Sequence, residues 1–144
     1  FTTDVSGLVS IRAARAQNVG DHVILPEVVS KEPLGPAVRH GDDRWFDIVK
    51  WSMFAMLEAE EMGLASKTID QAAANKDPAV QRFIGATGDI GKMLGLDNKW
   101  AFNIVKQVGN YGESFDTHLK PLGFERGLNN LWNKGGLMYA PPIR

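Results

Sequence analysis

At 144 residues, with a formal net charge of −1 and 16 Lys and Arg interspersed with 17 Asp and Glu, the chain fits one ordinary domain and has no basic face of the kind that phosphate backbones require. Nucleic acid is therefore not an expected partner. Cysteine is absent, which removes disulfides, thiolate nucleophiles and cysteine-based metal sites, and no stretch of about 18 uninterrupted apolar residues exists to span a bilayer.

In chain order, residues 1–5 are β-prone, and Ser6 and Gly7 open a helix predicted to run to about Ala16 with Leu8, Ile11 and the Ala14–Arg15 edge on its face. Asn18 and Gly20 break it. Residues 22–25 (His-Val-Ile-Leu) read as a short apolar strand bounded by Pro26, and residues 28–30 and 37–39 are further strand candidates. A sheet of so few strands is marginal without partners. Pro33, Gly35 and Pro36 keep the chain extended up to residue 36, after which Asp42 or Asp43 can cap a long helix carrying Trp45, Phe46, Ile48, Val49, Met53, Met56 and Leu57 on one face and ending at Gly63.

Beyond Gly63 the pattern is helices and loops. Ser66 can cap a short helix through Ala74, and Asp77-Pro78 is a cap and first-turn pair for a helix carrying Val80, Phe83 and Ile84. Residues 85–95 are glycine-rich and read as loop with at most a turn of helix. Asp97 or Asn98 caps a second long helix, whose stripe of Ala101, Ile104, Val105, Val108, Gly112, Phe115 and Leu119 ends at Pro121 and Gly123. A last helix over residues 126–133 stops at Gly135-Gly136, and Pro141-Pro142 forces an extended tail.

Most constellations that suggest chemistry fail on spacing. Gly85, Gly88 and Gly91 followed by Lys92 resemble a phosphate loop, but Met93 stands where a P-loop needs Ser or Thr to hold magnesium. His22, His40 and His118 lie far apart without a ligand companion at i,i+4 and read as surface residues, so no metal site and no cofactor is expected. Glu58, Glu60 and Glu61 read as a solvated acidic helix end, and Trp45 and Trp100 as core. Trp51 and Trp132 divide between core and interface roles. Asp4 precedes a predicted helix and can cap it, with Ser6 as the competing cap.

Five segments in order carry a resemblance: Thr2-Thr3-Asp4 with Ser6-Gly7-Leu8, the run His22-Val23-Ile24-Leu25-Pro26-Glu27, residues 32–51, residues 105–113, and the closing residues 131–144. Together they resemble the general L-amino-acid-binding proteins of ABC importers, which are periplasmic solute-binding proteins of the type II periplasmic-binding fold. The resemblance spans essentially the whole chain but only the last part of the family's length. It implies an α/β fold of which this chain is the carboxyl-terminal part, mostly α-helical with a few short strands. Residues 1–30 would be the end of the second lobe, residues 31–62 the hinge crossing with the last strand and helix of the first lobe, and residues 63–144 a helical extension.

By the same resemblance the parent captures a free L-amino acid without making or breaking a bond, and delivers it to a membrane permease from the periplasm. Asp4 matches the aspartate that accepts hydrogen bonds from the ligand's α-ammonium, a cation whose burial must be offset by a partner. Arg12, Arg15 and Arg39 do not match the family's carboxylate-holding arginine, which has no counterpart in this chain. The alternatives are an enzyme resembling cyclohexadienyl dehydratases on the same fold, and a helical interaction module. Truncated strands imply pairing with the missing amino-terminal part or with a second copy of the chain. The chain opens on Phe1 instead of Met and shows no charged-then-apolar leader, so translation is expected to begin upstream.

Overall fold

The computed structural model describes residues 1–31 and 33–144; Glu32, inside the expected hinge crossing, lies outside them. Residues divide into two units, Phe1–Ala37 and Val38–Arg144.

The first unit is built on helix α1 (Val5–Arg15), followed by a single 3₁₀ turn at Val19–Asp21. The helix begins two residues before Gly7, because Asp4 rather than Ser6 is its N-cap: the Asp4 carboxylate accepts the Gly7 N–H. Expected strands at residues 1–5, 22–25 and 28–30 are not formed. His22 has extended dihedrals (φ −118°, ψ 122°), yet no ladder joins it or its neighbours to another segment among the described residues. The physical reason is the one the strand count implied, since an extended segment becomes a strand only when its N–H and C=O groups find a partner chain. Val23, Leu25, Val28, Val29 and Leu34 are correspondingly exposed.

The second unit is helical. Helix α2 (Asp43–Glu61) is capped by Asp42, whose carboxylate accepts the Trp45 N–H at 3.1 Å. Its amino-terminal turns leave Trp45 (52% exposed) and Phe46 on the surface, so Trp45 is not core; the buried stretch starts at Ala55 and continues through Leu57, Glu58 and Ala59. Residues 37–39, the last strand candidate, form no ladder either. The Ser66 helix is a 3₁₀ segment, Ile69–Ala74, and α3 (Pro78–Phe83) follows as read, with the Asp77 carboxylate accepting the Ala79 N–H. Helix α4 (Ile90–Leu94) occupies the glycine-rich stretch. An ideal Cβ at Gly85 or Gly91 would lie 2.2 or 2.4 Å from the carbonyl oxygen of Asn98 or Asp97, so these glycines serve close backbone packing and not phosphate binding.

The second long helix is in fact two, α5 (Trp100–Val108) and α6 (Tyr111–His118). Gly109 separates them at φ 92°, ψ 179°, a conformation that only glycine adopts without strain, and Asn110 restarts the chain with a full capping box to Glu113. Val108, at the break, is exposed, whereas Val105 and Phe115 are buried. Replacing Gly109 with Ala should cost about 1–3 kcal/mol, because the new Cβ is strained by the backbone and would also meet the Glu113 carboxylate. A urea titration checks this through a lower midpoint at unchanged slope.

The core draws Ala55 and Ala59 of α2, Ile69 and Ala72 of the 3₁₀ segment, Val80 and Phe83 of α3, and Trp100 and Val105 of α5 around one cluster that also takes in Ile143. The final helix expected at residues 126–133 resolves into two 3₁₀ turns, Gly127–Asn129 and Trp132–Lys134, with an isolated parallel bridge joining Leu131 and Met138. What fastens this tail is the acidic end of α2. Glu58 is only 7% exposed and accepts the Ile143 N–H at 3.0 and 3.2 Å; Glu60 meets the Arg126 guanidinium at 3.0 Å; Glu61 accepts the Trp132 indole N–H at 3.2 Å. Glu58 and Glu60 are thus not a solvated surface, because each meets a donor brought by the tail, whereas Glu61 stays exposed while accepting from Trp132.

Burial pushes the Glu58 carboxyl above the ordinary glutamate range, with Glu61 adding like-charge repulsion, against the Ile143 N–H and the Arg82 charge. A raised folded-state pKa means the associated stability is fully present below the unfolded value and lost as pH rises through the folded one. Glu58→Gln removes that dependence while keeping an acceptor for Ile143. The variant should therefore gain melting temperature over the wild type at pH 7.5, and the gap should close as pH falls toward the ordinary glutamate range. A pH-independent gap in parallel thermal melts would rule the assignment out. Glu113 behaves oppositely: burial pulls its pKa up, but donors from Ser66 and the Asn110 N–H outweigh that and hold it below the usual range.

Candidate ligand-binding site

Asp4 sits one residue before α1 with extended dihedrals (φ −59°, ψ 152°), which points its side chain back over the exposed N–H groups of the first turn. One carboxylate oxygen, Oδ2, accepts the Gly7 N–H at 2.8 Å and the Ser6 hydroxyl; the other, Oδ1, accepts the Thr3 hydroxyl at 3.2 Å. The Ser6 hydroxyl first and then the Gly7 N–H hold the Asp4 pKa below the ordinary aspartate value, against an opposing effect of burial that exceeds the further lowering by Thr3. Asp4 is thus an anion at neutral pH. A carboxylate offers about four acceptor positions and these three donors use three, so Oδ1 retains one for an incoming N–H donor. Capping and ligand contact are therefore compatible in one side chain.

The arginines that the resemblance left unmatched are not joined to Asp4 by any hydrogen bond or ion pair among the described residues. Arg12, on α1, donates from Nη1 to the His22 carbonyl at 3.3 Å and so ties the helix to the segment after it, while Arg15 and Arg39 are exposed. His22, His40 and His118 are exposed, as expected, and among the described residues no group of three or more His, Cys, Asp or Glu could hold a metal ion. In the second unit a pocket of about 270 Å³ is lined by Asp70, Ala73, Ile84, Ala86, Lys99 and Phe102. Its wall is almost wholly apolar, and Asp70 is already paired with Lys106. Reading the sequence missed Ser6 and Gly7 as partners of Asp4. The signal for Gly7 was present, because an N-cap carboxylate reaches the N–H three residues on.

No family model matches the chain. Over 149 residues it is 52% identical to the general L-amino acid-binding periplasmic protein of Rhizobium johnstonii, and over 148 residues 54% identical to a putative amino-acid ABC transporter-binding protein of Escherichia coli. It is 50% identical to the glutamate/glutamine/aspartate/asparagine-binding protein of Rhodobacter capsulatus. The chain is a partial-length homologue of periplasmic amino-acid-binding proteins of ABC transporters. The homology takes in 100% of this chain and 43–44% of each relative, so the chain spans less than half their length. Its fold agrees: a solved ABC transporter periplasmic binding protein from Brucella ovis, with glutathione bound, superposes at a TM-score of 0.93 and 48% identity. That superposition covers 99% of this chain and 46% of the other. The fold class is thus part of a periplasmic-binding-protein fold, mostly helical here.

Proposed function

We propose that the chain forms the carboxyl-terminal part of a periplasmic solute-binding protein that captures a free L-amino acid by closing two lobes and presents it to the permease of an ABC transporter. The observation that carries this reading is identity above half, over the entire chain, to a general L-amino acid-binding periplasmic protein. In it, residues 1–30 end the second lobe, residues 31–62 cross the hinge and finish the first lobe, and residues 63–144 are a helical extension. The protein acts by binding and release and not as an enzyme, in line with relatives that are all solute-binding proteins. The periplasmic binding proteins among its relatives support localisation to the periplasm.

Asp4 is assigned to the ligand's α-ammonium. Its remaining acceptor position, its anionic state and its fixed orientation on α1 suit a cation that must be desolvated on lobe closure. The bound compounds named for two relatives have an α-amino-acid head in common: glutamate, glutamine, aspartate and asparagine in one, glutathione, with its γ-glutamyl end, in the other. L-Glutamine, L-glutamate and glutathione are accordingly the first ligands to try.

Thermal melts of the full-length protein test the reading. A ligand present at 100 times its Kd adds about 2.7 kcal/mol to stability and raises the melting temperature by several degrees. An absence of any shift across the set of L-amino acids and glutathione would remove the proposal.

A further inference from the structure

Gly7 stands in the first turn of α1, where glycine is the least favourable residue for a helix apart from proline. Its backbone does not call for it: the positive-φ glycines of the chain run from Gly41 to Gly135, and Gly7 is not among them. Space does. An ideal Cβ at Gly7 would lie 3.1 Å from the Thr3 methyl and 3.2 Å from Oδ1 of Asp4, tight enough that these groups must give by a few tenths of an ångström, while Oδ2, at 3.4 Å, is at ordinary contact distance. At Gly35 and Gly41, by contrast, the same atom would meet nothing within 4 Å. The missing side chain at Gly7 leaves the Asp4 carboxylate room in its present position against the first turn. Ser6, beside it, also donates to Oδ2.

We infer that Gly7 and Ser6 are positioning residues for ligand binding: Gly7 vacates the space in which the Asp4 carboxylate sits, and Ser6 fixes its rotation so that Oδ1 faces the ligand's ammonium. The inference rests on the reading that Asp4 binds that ammonium, and goes beyond it by assigning the orientation of the charge to two neighbours that never touch the ligand. Alanine at position 7 favours the helix but displaces the carboxylate and the Thr3 methyl. Alanine at position 6 leaves the helix intact but removes the donor that most strongly keeps Asp4 ionised.

The test uses the full-length protein, titrated calorimetrically with L-glutamine, whose side chain does not titrate, from about pH 3 to about pH 8, alongside thermal melts. Gly7→Ala should weaken binding roughly tenfold while its melting temperature holds or rises, a split that a purely structural role would not produce. Ser6→Ala should weaken binding by a similar factor and move the acid limb of the affinity profile to higher pH. Ser6→Thr, which keeps the hydroxyl, should restore both. Wild-type affinity and pH profile in Gly7→Ala and Ser6→Ala, with binding lost in Asp4→Asn, would overturn the inference while leaving the Asp4 reading in place. Wild-type affinity in Asp4→Asn would overturn both. Should Gly7→Ala melt lower, the Ser6→Ala profile decides alone: an unmoved acid limb rejects the inference.

Discussion

Phe83→Ala should destabilise the second unit by about 3–5 kcal/mol, the cost of emptying a buried aromatic site that its surroundings can only partly refill. Phe83 is 1% exposed and lies in the cluster that ties α2, α3 and α5 to the 3₁₀ segment and to Ile143. Domains of this size carry only about 5–15 kcal/mol in total, so the loss is a large share of what holds the fold. Urea unfolding followed by circular dichroism should show a much lower midpoint, with Met93→Ala, 84% exposed, as a control that moves it little. Similar midpoints for the two variants would remove Phe83 from the core.

Asp4→Asn has the largest expected effect on binding. The amide keeps the size of the side chain and remains a good N-cap, so α1 and the melting temperature should be nearly unchanged. If Asp4 holds the ligand's ammonium as proposed, that ammonium loses its counter-charge. Affinity for an L-amino acid in the full-length protein should fall by about 2–5 kcal/mol, or about 30-fold to several thousand-fold. Stability unchanged with affinity lost separates the ligand role from the cap. Wild-type affinity would leave Asp4 a cap alone.

Much of the helical plan was legible because its signals are local. The Asp42 cap, the Asp77-Pro78 start of α3 and the stop at Gly63 depend on residues within a few positions of one another, and each stands where it was read. The break between α5 and α6 was equally local, as Gly109 followed by Asn110-x-x-Glu113 spells a stop and a capping box, but the continuing apolar stripe through Val108 and Phe115 hid it. Missing strands have a different cause. Residues 1–4 and 22–25 have strand-like composition, but a strand is defined by a partner, which no local pattern supplies.

Long-range partners account for the largest misreading. Three glutamates within four positions at the end of α2 look like solvent-facing charge, and nothing nearby announces that Arg126 and Ile143 come back from 66 and 85 residues away to cover Glu60 and Glu58, leaving only Glu61 exposed. Trp45 fails for the complementary reason, since it shares a helical face with buried residues but stands beyond the end of the core. At the candidate site, the N-cap role of Asp4 was legible from its place before the helix, while its assignment to a ligand rests on the Thr-Thr-Asp resemblance. The close approach of the Asp4 carboxylate to Gly7 needed coordinates, because a contact between a carboxylate and an absent Cβ leaves no periodic trace.

A crystal structure of the full-length protein with L-glutamine or L-glutamate bound addresses the central claim most directly. The account predicts the ligand's ammonium within hydrogen-bonding distance, about 2.7–2.9 Å, of Asp4 Oδ1, with Ser6 and Gly7 still donating to Oδ2. A bound amino acid whose ammonium is held elsewhere, with the Asp4 carboxylate engaged by Thr3, Ser6 and Gly7 alone, would contradict it.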